Sequence, residues 1–508
     1  MIFLPFYANP LTIILIPIFF AFATYFIKFI HRSLLSYMPI LLSIIEIYIL
    51  FMGRNFIFAS PVTVLLTPRS SIEIVLYLDS FGWLVICGIW FLTLLYSIFQ
   101  LRDNSKKEYQ TEQISTFLLL LVGLMGVVLT TDIFNMLIFF ALIMVSLSLL
   151  SSLDNDLPLL RSSFNYTLSA TVTFAFFALA IILIYVGTGT SNMADIANII
   201  KAGESVFTVA MFWFILIFSS IWFMFLANLF PFNGTTLHLS INRSVKMGAI
   251  LSTIIPLTTM VPMLRFLYIL FVDNLNNVID IPLFMNLLFW LGMLSMLISF
   301  IGTVVVKNIV KKIFFLIVSE MSLVFSGFML MKTMVIQAAI YLLLVETVLL
   351  LGVLFLIDIF ISITGATQIS SLEGLGRREP ILSTIFVILT LSLLTIIPTS
   401  AGIGKLLLIL SIIESGAFME TATIVLGLIM ESIFVGKMLF LLFKKRELRK
   451  TSKKVKVAPS KLIAVVAITI FILMLSLFPS LVLATTSDIS QQLLDKSVYI
   501  ESVFTGAG

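Results

Sequence analysis

Ionisable side chains interrupt otherwise apolar runs in the second half of this 508-residue chain, among them Glu320, Glu346, Lys405, Glu431 and Lys437. Carboxyl and ammonium groups inside membrane-spanning runs are candidates for an ion pathway. Such residues are expensive in hydrocarbon, so each needs a partner. Lys405 ends the segment Ile397-Pro398-Thr-Ser-Ala-Gly402-Ile-Gly404-Lys405, where proline and glycine break a helix and free backbone carbonyls. The carbonyl end of a broken helix carries partial negative charge, which suits a lysine. The alternative is a lysine snorkelling to an interface, but apolar lengths of roughly equal size flank Lys405 on both sides. Glu346 with Lys332 and Glu431 with Lys405 are possible pairs. Glu320 and Lys437 sit nearer the ends of apolar runs, where ordinary interfacial roles are expected. A second interruption, Leu229-Phe-Pro231-Phe-Asn233-Gly234, carries no charge, and His238 beyond it reads as a loop or helix-end residue.

Other chemistries find little support. The single cysteine, Cys87, lies in an apolar run, so this chain builds neither a disulfide framework nor a thiolate or iron-sulfur site. His31 and His238 are far apart, and no glycine-rich phosphate loop or nucleophile motif stands out. No cofactor is expected in this chain, and the abundant Met and Phe read as lipid-facing and interhelical packing.

The elements that must position these groups follow from composition. With 60% hydrophobic residues, 11% charged residues and a mean hydropathy of +1.19, the chain reads as an all-α polytopic membrane protein. About 20 apolar residues cross a bilayer. Apolar runs lie near 10–30, 35–53, 78–100, 115–131, 133–152, 165–187, 206–230, 245–271, 282–306, 312–331, 334–362, 380–412, 419–443 and 461–484. They predict about 14 transmembrane helices, with helices broken near Pro231 and Pro398. Broken helices at matching places in two halves point to two inverted repeats and a transport function. Proline kinks of ordinary packing are the plainer alternative. The first run is too long and too poorly flanked by basic residues for a cleaved signal peptide.

About 22 of the 30 Lys and Arg fall on one side of this topology, among them Lys28, Arg102, Lys106, Lys107, Arg243, Lys246 and those between Lys444 and Lys461. Asp273, Asp280, Glu414 and Glu420 fall on the other. Positive loops stay in the cytoplasm, which places both termini outside a cell membrane. The basic run from Lys444 to Lys461 suits anionic lipid or a partner subunit better than nucleic acid.

Asp132-Ile-Phe-Asn135 followed by Phe139-Phe140 resembles the start of the fifth helix in the antiporter-like membrane subunits of energy-converting complexes. That family includes the large membrane subunits of complex I, the Mrp antiporter D subunit and the membrane-bound hydrogenases. The resemblance runs from about residue 115 to 440. In such relatives an acid central to proton transfer follows the aromatic pair; here it is Ala141. Pro231-Phe232 and Arg265-Phe266 keep the family register, but the seventh-helix lysine position is Leu226, the neighbouring histidine position is Asn233 and the eighth-helix lysine position is Leu257. Ala141, Leu226 and Leu257 cannot hold charge or water. The second half is less bare. Lys311-Lys312 with Ser319-Glu320-Met321-Ser322 resembles the element that opens the tenth helix, and Thr364-Gly365 with Leu372-x-Gly374-Leu375 resembles the loop after the eleventh. Lys405 falls at the position of the twelfth-helix lysine or glutamate.

The resemblance divides the chain into an N-terminal three-helix segment (1–112), a first antiporter-like repeat (113–272), a second (280–443), and a basic cytoplasmic loop with the last helix and an external C-terminus (444–508). It implies a non-catalytic membrane-arm subunit of a respiratory oxidoreductase that couples electron transfer to proton or sodium translocation, with an impaired first half-channel and a scaffold or relay role. The implied partners are lipids and other membrane and peripheral subunits, including an intact antiporter-like copy; no nucleic acid is expected. Among such assemblies the chain looks like the divergent antiporter-like copy of an archaeal membrane-bound sulfane sulfur reductase. An active antiporter component that uses Glu320, Glu346, Glu431 and Lys405 as substitutes is the alternative, and a stand-alone secondary transporter is a further one.

Overall fold

The computed structural model describes residues 9–67, 74–101, 109–153, 157–204, 206–243, 245–272, 280–444 and 457–505, and these are nearly all helical. Arg102, Lys106, Lys107, Asp273 and most of the basic stretch between Lys444 and Lys461 lie outside them. Helices α1 (Pro10–Ile30) and α2 (Met38–Ala59) lead into an antiparallel hairpin that the apolar runs did not announce, β1 (Val62–Leu65) with β2 (Val75–Leu78). Four-residue strands are too short for a period-two pattern to stand out. Asp79 then caps α3 (Ser80–Gln100), its Oδ1 accepting from the Gly82 N–H at 2.7 Å.

The next elements are α4 (Gln110–Leu129), α5 (Ile133–Ser152), α6 (Leu157–Thr188), the short α7 (Met193–Ala202) and α8 (Val209–Leu226). After the break at Pro231 come α9 (Asn233–Arg243), α10 (Val245–Ala249), a wide π-turn at Ile250–Ile254, α11 (Ile255–Leu264) and a second π-turn at Arg265–Ile269. Pro256 lacks the N–H that a regular helix would direct at the Ser252 carbonyl. Ser252, Thr253, Thr258 and Thr259 donate their hydroxyls to carbonyls one turn back, which keeps this interior backbone satisfied.

The remaining helices are α12 (Ile281–Val305), α13 (Ile309–Met329), α14 (Thr333–Thr364), α15 (Leu375–Arg378), α16 (Pro380–Leu393), α17 (Ser400–Glu414), α18 (Phe418–Phe443), α19 (Pro459–Leu477), α20 (Ser480–Leu494) and α21 (Lys496–Thr505). Among the described residues, twelve helices are long and apolar enough to span a bilayer. The expected runs at 312–331 and 380–412 are not among them: the first is α13, with Lys311, Lys312 and Glu320, and the second divides into α16 and α17. Helix α14, at 32 residues about 48 Å long, is buried over 94% of its most apolar window and forms the central post. Helices α1, α2, α5, α6, α18 and α19 are only 39% buried in theirs, so their apolar outer faces are left for lipid.

Ends of helices are joined by polar caps. Asp132 caps α5 by accepting from the Asn135 N–H at 2.7 Å, and it also accepts from the Ser191 hydroxyl. Burial raises its carboxyl above the ordinary carboxylate range, and the Ser191 bond opposes that rise. Asp132 also bridges to Asn192, the cap of α7, and Asn308, the cap of α13, bridges to Gln368 at an equal sequence separation. The two halves of the chain therefore use one local device twice.

Candidate ion-exchange site

Helix α16 ends at Leu393 and α17 starts at Ser400, so the carbonyls of the last turn of α16 have no continuing helix to bond them. Thr399 caps α17 by accepting from the Gly402 N–H at 3.2 Å. Lys405 lies one turn further on and is fully buried. Its Nζ donates to the freed Leu393 carbonyl at 2.8 Å, as the break predicts. Gly404 permits the close approach that carries Lys405 inward: a Cβ there would lie 2.7 Å from both Leu342 and Tyr341 of α14.

Three carboxyls from three helices meet the same ammonium. Glu431 of α18 lies 2.8 Å from Lys405 Nζ, Glu320 of α13 lies 2.9 Å from it, and Glu346 of α14 lies 3.6 Å from it. All four side chains are essentially without solvent exposure. With every group ionised the cluster would carry two net negative charges in a dry interior, a state that costs several kcal/mol per unpaired ion. Like charges sharing one buried site cannot all ionise, so the geometry suits carboxyls that hold protons beside one lysine. Glu320 Oε1 and both oxygens of Glu346 have no hydrogen-bond partner among the described residues, so these carboxyls keep capacity for a proton or water.

A sequence profile of the family described as NADH:quinone oxidoreductase/Mrp antiporter, transmembrane, matches residues 130–432. The chain belongs to this family. The D component of a Na+/H+ antiporter from Bacillus subtilis is 27% identical over 365 residues, 71% of each chain. The fold matches a chain of the membrane-bound sulfane sulfur reductase, an archaeal respiratory membrane complex, with a TM-score of 0.88 and 20% identity over 97% of this chain and 99% of that one. It matches a chain of the Mrp complex from Dietzia sp. DQ12-45-1b with a TM-score of 0.86 and 17% identity over 98% and 100%.

Within this antiporter-family chain the expected groups divide sharply. The structure brings Lys405, Glu320, Glu346 and Glu431 together, and the anticipated Lys405–Glu431 pair is present. Two expectations are corrected. Glu346 meets Lys405 and makes no ion pair with Lys332, and Glu320 is an interior residue, because α14, α17 and α18 close over the face of α13 that carries it. Lys437 is exposed on α18, and His238 is exposed within α9.

The vacated positions are occupied as their types require. Leu226, the last residue of α8, and Leu257 of α11 are buried in the apolar core, while Ala141 of α5 is half-buried. Asn233 opens α9 and is buried. Neutral groups surround the first break: the Phe230 N–H donates to Ser295 Oγ at 2.9 Å, the Ser322 hydroxyl donates to Ser295 Oγ at 2.8 Å, and Asn228 Nδ2 donates to the Leu251 carbonyl of the π-turn at 2.6 Å.

Among the ion pairs that escaped the sequence reading, one has a buried arginine. Arg265, known there only as a register mark, is buried, pairs with Asp79 at 2.8 Å, donates to the Val128 carbonyl and lies over the Tyr77 ring at 5.0 Å. Tyr77 in turn packs edge-on against Tyr499 of α21. The partners lie nearly two hundred residues apart, and no local pattern links them.

Proposed function

We propose that this antiporter-like chain works in the membrane arm of an ion-translocating redox or antiporter assembly, and that its own ion-exchange step is confined to the second half, at Lys405. The observation that carries this reading is one buried ammonium shared by Glu320, Glu346 and Glu431. When a proton or sodium ion arrives, one carboxyl exchanges it and Lys405 shifts toward the carboxyls still ionised. The cluster thereby keeps its charge near balance without water. The first half, with Ala141, Leu226 and Leu257 at its family stations, acts as scaffold, and its break is held by amide and hydroxyl groups. Charge needs ionisable or hydrated groups at each step through hydrocarbon, and these three side chains offer none.

The family match supports membership of an antiporter-type machine, and the repeated cap-and-bridge device of Asp132 and Asn308 supports two related repeats. A cell membrane, external termini, partner subunits and an intact neighbouring antiporter-like copy belong to the same reading. The test is ion transport by the assembled complex in vesicles, comparing the native chain with Lys405→Leu once assembly is shown to be equal. Transport falls about tenfold or more, more than about 1.4 kcal/mol on the rate-limiting step. Unchanged transport would make the chain a scaffold throughout.

A further inference from the structure

A further buried acid, Glu46, lies far from Lys405 in the chain, outside the segment that matches the family profile. Glu46 sits near the middle of α2 and has no measurable exposure. The buried residues of α2, among them Leu42, Glu46, Ile49, Gly53 and Ile57, recur every three or four positions and form one stripe, which packs on α3. The level of contact is fixed by Trp83 of α3. Its Nε1 donates to the Leu50 carbonyl at 2.8 Å, and its ring packs edge-on against Phe51 and Phe58. Trp90, two helical turns after Trp83 and on the same face of α3, is therefore level with the turn of α2 that holds Glu46.

Both carboxyl oxygens of Glu46, the Nε1 of Trp90 and the hydroxyl of Thr93 have no hydrogen-bond partner among the described residues. All three residues are fully buried. The charged or titratable side chains on the elements packed against α2 are Cys87 and Tyr96 on α3, Tyr25 and Lys28 on α1, and His31, Arg32 and Tyr37 at the connection. On α2 itself they are Tyr48 and Arg54. None forms an ion pair or hydrogen bond with Glu46: Lys28 pairs with Glu112 at 3.5 Å, and Arg54 lies over the Phe58 and Trp83 rings. An ionised carboxylate at this place would lack any counter-charge, which costs several kcal/mol. An acid retained at such cost inside a membrane helix marks a functional position.

We propose that Glu46 is a proton-binding carboxyl, a site separate from the Lys405 cluster, that takes up and releases a proton at the α2–α3 interface beside Trp90 and Thr93. The donor inventory selects a proton over a metal cation. Trp90 Nε1–H only donates, so it repels a cation and stabilises the carboxylate left when the proton departs, while the Thr93 hydroxyl can donate or accept.

Infrared difference spectroscopy of the assembled complex in lipid tests this, with Glu46→Gln used to assign the band. The expected result at neutral pH is a carbonyl stretch of a neutral carboxylic acid that shifts in D2O, disappears in Glu46→Gln and is indifferent to sodium. Carbodiimide labelling of the native complex, mapped by peptide mass spectrometry, needs no variant: Glu46 is modified, and the rate falls about tenfold per pH unit once the group ionises. Absence of both the band and the label overturns the proposal, as does a band that never exchanges in D2O. Protection from carbodiimide by sodium would overturn it in favour of a metal-cation site.

Discussion

The chain contains two helix breaks with the same punctuation and opposite chemistry. At Pro231 the Phe230 N–H is met by the Ser295 hydroxyl, which Ser322 bonds in turn, and Asn228 reaches from the break to the Leu251 carbonyl; all are neutral. At Pro398 the Leu393 carbonyl is met by Lys405, which brings three acids with it. The difference teaches that a broken helix is only a receptacle: a hydroxyl closes it quietly, whereas an ammonium gathers acids around it. Removing a neutral closure costs a hydrogen bond, whereas removing the ammonium leaves buried acids without a counter-ion.

The comparison breaks hardest at Lys405. Lys405→Leu is expected to destabilise the chain by about 3–5 kcal/mol, read as lost thermal stability of the detergent-solubilised protein; an unchanged melting profile would mean that the acids are neutral without the lysine. Gly404→Ala comes next. Its Cβ would sit 2.7 Å from Leu342 and Tyr341, so α17 must move off α14 at about 1–3 kcal/mol, with transport falling as Lys405 withdraws from Glu346.

At the first break, Asn228→Ala loses the bond to the Leu251 carbonyl, costs about 1–2 kcal/mol and leaves transport at the native rate. The smallest stability effect belongs to Glu431→Gln. Three acids share one cation, so the loss of one charge costs about 1 kcal/mol or less, well below Lys405→Leu when the two are melted side by side.

Much of this was legible in the residues. Hydropathy alone announces a polytopic helical protein, and proline with glycine locates both breaks. The partial charge of a helix end places Lys405 at the second break, while its pairing with Glu431 was one of two possible pairs. What was hidden has a common cause. In a membrane protein both faces of a helix are apolar, so periodicity does not separate lipid-facing from interior positions. Glu320 lies near the middle of the run 312–331, so the interfacial reading was a misjudgement of its place rather than of its type; Lys405 of α17 meets it in the interior. Glu46 was overlooked, although it stands alone in the second apolar run, and the lack of any partner emerges only from packing. The pairing of Arg265 with Asp79 is a tertiary fact, and the hairpin that precedes α3 is too short for strand periodicity to register.

The central claim, that ion exchange is confined to the second half, is tested most directly by measuring ion transport with two neutral variants side by side. Glu346→Gln and Asn228→Ala would each be reconstituted in the assembled complex at equal levels. The account predicts a fall of about tenfold or more for Glu346→Gln and native transport for Asn228→Ala. Native transport in Glu346→Gln together with loss in Asn228→Ala would move the path to the first half and contradict it.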